Sequence, residues 1–214
     1  NQAVQAAKLG ANVSMIGSVG KDTMGEFLLT EAEKFHVDVT HVKRSNTPTG
    51  MADAHVLPDG HLFCTVVKGA NFELKIEDVA MAESLLKSAD IVILQNEIPR
   101  EIDYYVVDKA EEFGYKVIYN AAPAREMSRH YIAKCDIVVV NEVEAGFYCG
   151  TKIDSVEEAK VEALKMSMEM GNDWIITLGA TGSVVASNKE VIFIPSYRVN
   201  AIESLGAGDS YIGA

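Results

Sequence analysis

Residues 136–144 read Asp-Ile-Val-Val-Val-Asn-Glu-Val-Glu, and this stretch is the most informative one for the architecture of the chain. Within it, residues 137–140 form an unbroken apolar run. Such a run predicts a strand that is buried on both faces, as in a parallel sheet. Comparable runs occur at residues 91–94, 116–119 and 174–177. Segments with helical periodicity separate these runs. The sequence therefore predicts an α/β doubly wound fold, with a mostly parallel sheet flanked by helices.

Polar or small residues follow each of the four runs. Ligands of open α/β sheets bind beyond the carboxyl ends of the strands, so these positions are the first candidates for a site. In chain order they are Glu97, Asn120, Asn141 with Glu144, and the segment 177–182.

Composition and charge restrict the class of protein. The 214 residues predict a single domain over residues 1–214, and 48% hydrophobic with 23% charged residues is typical of a soluble globular protein. A net charge of -12 argues against a nucleic-acid partner. No apolar run approaches the ~20 residues of a membrane span, so no membrane partner is expected. Three cysteines without CxxC spacing predict a reduced, cytoplasmic protein.

The sequence argues against two nucleotide-binding patterns and against a zinc site. Residues 17–22 read Gly-Ser-Val-Gly-Lys-Asp, but Asp22 stands where a P-loop requires Ser or Thr. No G-x-G-x-x-G motif follows a strand, so a dinucleotide-dependent dehydrogenase is not supported. The histidines form no HxxxH pair, which argues against zinc.

Both ends of the sequence predict an internal fragment of a longer protein. Helix-forming residues follow Asn1 at once, and the chain stops where a new helix begins after residues 206–208. A single helical turn is not stable alone, so we expect further residues to continue it.

The motif at residues 206–211, Gly-Ala-Gly-Asp-Ser-Tyr, combines an anion site with a carboxylate. Its small residues leave backbone N–H groups accessible at a helix N-terminus, where an anion is favoured. Asp209 adds a base, and a base beside a phosphate site is what phosphoryl transfer to a hydroxyl requires. The alternative is a glycine-rich turn with Asp209 near the N-cap.

Three other segments each allow a functional and a structural interpretation. Asn141 and Glu144 lie on one helical face, where they could hold hydrated Mg²⁺ and a phosphate oxygen or form a capping box. The segment 177–182 could admit a ligand to the backbone or be an ordinary tight turn. Glu97 could bind substrate hydroxyls or be a solvated glutamate at a helix start.

Residues 51–57 and 61–67 are two strand-like runs joined by Pro58-Asp59-Gly60, which predicts a β-hairpin. This hairpin lies outside the strand–helix alternation. We expect it to belong to a small accessory sheet.

The motifs together resemble those of the ribokinase family of carbohydrate kinases, the PfkB superfamily. In order from the first residue to the last, they are Asn1-Gln2-Ala3, Val19-Gly20-Lys21-Asp22 with Gly25, Thr49-Gly50, Gly69-Ala70-Asn71, Gln95-x-Glu97, Asn120-x-x-Pro123, Asn141-x-x-Glu144, Thr177-Leu178-Gly179-x-x-Gly182 and Gly206-Ala207-Gly208-Asp209. Each motif is weak alone, and the ordered set is specific.

The resemblance implies ATP-dependent phosphorylation of the primary hydroxyl of a sugar, with D-ribose as the leading substrate. Asp209 would be the catalytic base, and it would bind the sugar together with Asn1 and Glu97. The backbone of Gly206, Ala207 and Gly208 would stabilise the charge of the transferring phosphoryl group.

The resemblance also implies a nucleotide and cation site. Glu144 would serve Mg²⁺, whereas Glu203 and the backbone of Leu205 would line a monovalent-cation site for K⁺. The residues implied to contact ATP are Asn141, Thr177, Leu178, Gly179, Ala180, Thr181, Gly182 and Gly208.

Strands near residues 38–67 would form a small β lid that covers the sugar and joins two copies into a homodimer. Two alternatives stay open at this point. One is another kinase of the family: a fructokinase, a 2-keto-3-deoxygluconate kinase or a nucleoside kinase. The other is a non-catalytic nucleotide- or sugar-binding relative.

Overall fold

The apolar runs of the sequence become neighbouring strands of one sheet. This is seen in a computed structural model, which describes residues 1–56, 62–200 and 205–214, with the backbone alone for residues 54–56 and 62–64. The chain divides into two compact units, one of residues 1–83, 97–102 and 209–214, the other of residues 84–96 and 103–208.

The first unit contains short helices and three two-stranded sheets. Its elements are α1 (Gln2–Lys8), β1 (Val13–Ser14), β2 (Gly17–Gly20), α2 (Thr23–Lys34), β3 (Val37–Asp38), β4 (Val42–Ser45), β5 (Met51–Val56), β6 (Leu62–Val67) and α3 (Ile76–Ala80). Strands β1 and β3 are parallel, as are β2 and β4. Strands β5 and β6 are antiparallel, which confirms the predicted hairpin strands; their predicted turn lies outside the described residues.

Asp22 connects three segments of the first unit. As the N-cap of α2 it accepts a hydrogen bond from the Gly25 N–H at 2.8 Å. It also accepts bonds from the Thr49 hydroxyl at 2.7 Å and the Thr49 N–H at 2.8 Å. These bonds, with the Thr49 hydroxyl first, lower the pKa of the Asp22 carboxyl group. The Asp22 and Thr49 motifs therefore have a structural function in the first unit.

The remaining elements lie mainly in the second unit. They are α4 (Glu83–Ser88), β7 (Ile91–Leu94), α5 (Arg100–Phe113), β8 (Lys116–Asn120), α6 (Arg129–Ile132), β9 (Ile137–Asn141), α7 (Glu142–Cys149), α8 (Val156–Met170), β10 (Asp173–Thr177), β11 (Gly182–Ser187), β12 (Glu190–Pro195) and α9 (Ala207–Ile212).

One six-stranded sheet, ordered β12-β11-β10-β9-β8-β7, forms the centre of the second unit. Strands β7 to β10 are parallel, and β11 and β12 extend the sheet antiparallel. Residues on these strands form the core: Val117, Tyr119, Val138, Trp174, Ile176 and Val184 are all fully buried. The predicted α/β fold with a mostly parallel sheet is confirmed.

One local prediction was wrong. The pattern over residues 76–87 predicts one helix, but the structure has α3 and α4 with a break between them. At the break the Ala82 N–H donates to the Val79 carbonyl oxygen, a tighter turn than that of an α-helix. Residues 17–20, for which no element was predicted, form the buried strand β2; their two glycines fit where a strand is covered on both sides.

Across residues 1–56, 62–200 and 205–214, none of the helices has the length and apolar character needed to span a membrane.

Candidate active site

Asp209 lies in the first turn of α9, and amide groups from the start of the chain hold both of its carboxylate oxygens. The Asn1 Nδ2 donates to Oδ2 at 2.8 Å, and the Gln2 Nε2 donates to Oδ1 at 3.1 Å. All three residues belong to the first unit. Hydrogen bonds to a charged acceptor are about twice as strong as neutral ones, so these amides orient the carboxylate firmly.

Glu97 belongs to the same unit and interacts electrostatically with Asp209. Partial desolvation by the surrounding protein raises the pKa of the Glu97 carboxyl group, and repulsion from Asp209 adds to the shift. The structure thus brings together Asn1, Glu97 and Asp209, the predicted sugar-binding residues. Their contact with a sugar remains a prediction.

Gln2 is a member of this cluster that sequence reasoning missed. Its side chain is only 9% exposed, and a buried amide requires a hydrogen-bond partner. The one available signal is its position beside Asn1, at the polar start of a helix that continues with alanines. That position does not predict that Asp209 is the hydrogen-bond partner of Gln2.

Asn141 and Glu144 form a capping box at the junction of β9 and α7. The Asn141 Oδ1 accepts from the Val143 and Glu144 N–H groups at 2.9 and 2.8 Å, and the Glu144 Oε2 accepts from the Asn141 N–H at 2.9 Å. Burial raises the pKa of the Glu144 carboxyl group, while the bond from Asn141 opposes the shift. The structural interpretation of this pair is confirmed, and its Mg²⁺ role stays a prediction.

The segment 177–182 is a tight turn between β10 and β11. Its residues 179–181 form an exposed 3₁₀ turn, which the Leu178 N–H closes by donating to the Gly182 carbonyl oxygen at 2.8 Å. Thr177 and Asn141 are partners in the parallel register of β10 and β9. Two of the predicted ATP contacts therefore meet at the carboxyl edge of the sheet.

The glycine motif spans the start of α9, with Gly206 just before the helix and Ala207 and Gly208 as its first two residues. Gly206 has φ 76°, a left-handed conformation that favours glycine, and Ala207 and Gly208 are exposed. Leu205 is also exposed, whereas Glu203, the other predicted K⁺ ligand, lies outside the described residues. Within the described part of the chain, no three His, Cys, Asp or Glu residues form a group that could hold a metal ion. Mg²⁺ usually takes few protein ligands, so Glu144 with waters and phosphate oxygens fits it better than a cage of side chains.

Comparison with known families identifies this arrangement. Residues 1–214 match the family model described as pfkB family carbohydrate kinase. The chain belongs to the pfkB family of carbohydrate kinases. As a pfkB kinase it is a phosphotransferase with an alcohol acceptor, and the predictions of a sugar kinase with small-molecule sugar and nucleotide substrates are confirmed.

Several relatives of this pfkB kinase match it over its whole length. A deoxyribokinase of Salmonella typhi is 33% identical, and this chain covers 70% of it. A ribokinase of Staphylococcus aureus is 32% identical, with 71% of it covered. The structure of Arabidopsis thaliana ribokinase complexed with ribose and ATP is similar with a TM-score of 0.88 at 25% identity, over 100% of this chain and 70% of that one.

Proposed function

We propose that this pfkB kinase transfers the γ-phosphoryl group of ATP to the primary hydroxyl of D-ribose, forming ribose 5-phosphate. The observation that carries the proposal is the Asp209 carboxylate, held through both oxygens by Asn1 and Gln2. Ribokinases of about one-third identity support ribose as the substrate. The ribokinase structure that contains ribose and ATP supports ATP as the donor.

In the proposed reaction Asp209 accepts the proton of the ribose O5 hydroxyl. The oxygen forms a bond to the γ-phosphorus as the bond from phosphorus to the bridging oxygen breaks, and ADP leaves with that electron pair. Asn1 and Glu97 hold the other sugar hydroxyls, since a carboxylate accepts and an amide both donates and accepts hydrogen bonds. Backbone N–H groups of Gly206, Ala207 and Gly208 stabilise the charge on the transferring group.

The nucleotide contacts proposed for this chain lie at the carboxyl edge of β9 and β10. Asn141 and the turn at 177–182 contact ATP, together with Gly208. Glu144 holds Mg²⁺ through water, and the ion neutralises phosphate charge when it is bound. Glu203 and the backbone of Leu205 are proposed to line a K⁺ site.

A second substrate, 2-deoxy-D-ribose, is supported by one of the relatives. The deoxyribokinase of Salmonella typhi is 33% identical to this chain, which lies between the 32% and 34% of two ribokinases. The two sugars share the reacting O5 and differ at the 2-hydroxyl. The mechanism with Asp209 is therefore the same for both.

We further propose that residues 1–214 act as one domain and that β5 and β6 form the lid of a cytoplasmic homodimer. Met51, Val66 and Val67 support an interface, because each is at least 56% exposed although apolar. The free thiols of Cys135 and Cys149 fit a reducing compartment. A monomeric mass in solution at all concentrations would contradict the dimer.

The test is ATP-dependent phosphorylation by the full-length protein of D-ribose, 2-deoxy-D-ribose, fructose, 2-keto-3-deoxygluconate and adenosine, with and without K⁺. Preferred turnover of D-ribose is expected. Preferred turnover of another substrate would keep the mechanism and change the specificity. ATP binding without turnover of any of them would instead indicate a non-catalytic relative.

The variant Asp209→Asn tests the base. Its kcat should fall by roughly 10²–10⁴-fold with ATP binding unchanged, because proton transfer is lost. Asp90→Asn, which changes an exposed aspartate before β7, is the matched control and should behave as the wild type. A wild-type kcat for Asp209→Asn would remove Asp209 from the reaction.

A further inference from the structure

The two carboxylate oxygens of Asp209 accept hydrogen bonds from two amides that differ in exposure. Oδ2 accepts from Asn1, which is exposed, at 2.8 Å. Oδ1 accepts from Gln2, which is 9% exposed, at 3.1 Å. Water or a sugar hydroxyl can replace an exposed amide at little cost. Displacing Gln2 would leave a buried amide without a partner.

Backbone packing fixes the distance between Gln2 and Asp209. Gln2 opens α1, and Gly213 follows α9 directly. A Cβ atom at Gly213 would lie 2.4 Å from the Gln2 carbonyl oxygen and 2.9 Å from the Gln5 Cβ. The residues after Asp209 therefore contact the start of α1 without an intervening side chain. This close contact holds the Gln2 amide against Oδ1.

Glu97 is a further reason for such a donor. Burial is the main cause of the raised pKa of the Glu97 carboxyl group, and repulsion from the Asp209 carboxylate adds to it. An amide N–H on Oδ1 offsets this repulsion and keeps Asp209 from rotating away.

We infer that Gln2 is a positioning residue for the base: it anchors Oδ1 of Asp209, so that Oδ2 is the oxygen that receives the proton of the sugar. Asn1 occupies Oδ2 until the sugar hydroxyl takes its place. This assignment rests on the proposed function of Asp209.

Two Gln2 variants of similar shape test the inference in the full-length protein. Gln2→Met removes the donor and should lower kcat by about 10-fold, the effect of one hydrogen bond to a charged group, with the sugar KM unchanged. Gln2→Glu replaces the donor by a second carboxylate and should lower kcat further. Gln5→Met, on the same helix, is the matched control and should keep the wild-type kcat. Asn1→Ala should instead raise the sugar KM.

The double variant separates positioning from a general structural effect. In the Asp209→Asn background, Gln2→Met should cause no further loss of kcat, because the two residues act as one unit. A multiplicative loss would overturn the inference, as would a wild-type kcat in a folded Gln2→Met protein. Thermal unfolding shows whether each variant folds. If Gln2→Met does not fold, the kcat of Gln2→Glu tests the inference in its place. Full activity of Asp209→Asn alone would overturn the proposed function instead.

Discussion

Among individual side chains, Glu144 shows how one carboxyl group can combine a structural and a functional role. It is 9% exposed and caps α7 through the Asn141 N–H. Burial raises its pKa in spite of this hydrogen bond, so the ionised form is less favourable in the folded protein than in the unfolded chain. A residue that weakens the fold when it is charged is a reasonable candidate for a function, here the proposed water-mediated contact to Mg²⁺.

The variant Glu144→Gln should change stability in a pH-dependent way. A raised folded-state pKa gives a stability contribution that is fully present below the unfolded pKa and is lost as the pH rises through the folded pKa. The wild type should therefore lose stability relative to Glu144→Gln as the pH rises from acidic to neutral. Denaturant unfolding of both proteins at an acidic and at a neutral pH measures this loss. Glu157→Gln, which changes an exposed residue in the first turn of α8, is the control.

The same Glu144→Gln protein should require more Mg²⁺ for half-maximal activity. An unchanged Mg²⁺ requirement would remove Glu144 from the metal site. For the stability prediction, a difference between the wild type and Glu144→Gln that does not vary with pH would show that burial does not disfavour the charge of Glu144.

Among the turns, the one between β10 and β11 depends most clearly on glycine. Gly182 has φ 136°, and a Cβ there would lie 2.1 Å from the Ile194 carbonyl oxygen of β12. Gly179, three residues earlier in the same turn, has φ 52°, and a Cβ there would have no atom of the described residues within 4 Å. Residue 182 must be glycine for both conformation and space, whereas residue 179 favours glycine for conformation alone.

Gly182→Ala should destabilise the protein by at least about 2 kcal/mol, because a strained backbone and an atomic overlap occur together. Gly179→Ala is the matched control and should cost only about 1 kcal/mol, the penalty for a left-handed alanine. Denaturant unfolding of the two variants measures the difference. Equal losses would mean that the turn can move Gly182 away from β12.

Within the second unit as a whole, a buried polar network joins the loops after β7 and β8 to α5. Asn96 donates to the Pro123 carbonyl oxygen at 2.8 Å and accepts from the Tyr119 hydroxyl at 2.6 Å. Arg125 donates to the Asn96 carbonyl oxygen at 3.3 Å and forms an ion pair with Asp103, which is fully buried. This network holds two of the polar strand ends in place.

Arg125→Met should lower the free energy of unfolding by about 3–5 kcal/mol, since it removes a cation from a buried carboxylate. The control is Arg129→Met, whose ion pair with Glu169 has side chains 60% and 43% exposed. It should cost at most about 1 kcal/mol. Similar losses in the two variants would show that Asp103 finds other compensation.

Much of the architecture follows from local pattern. Strands β7 to β10 were predictable because burial on both faces leaves a continuous apolar run. Strand β2 and edge strand β12 were not predicted, since two glycines in the one and alternating exposure in the other give no such run. The capping box of Asn141 and Glu144 follows from a three-residue spacing, which is itself a local property.

Residue types and their short spacings were enough to establish the fold class, the family and the polar residues at each strand end, because each of these is a local property of the chain. Long-range packing determines which of those residues contact one another, so only the tertiary structure shows these contacts. Asn1 and Asp209 are 208 positions apart, and no local pattern encodes a contact over that distance. The buried Gln2 amide lies on Oδ1 because the end of α9 packs against the start of α1 at Gly213.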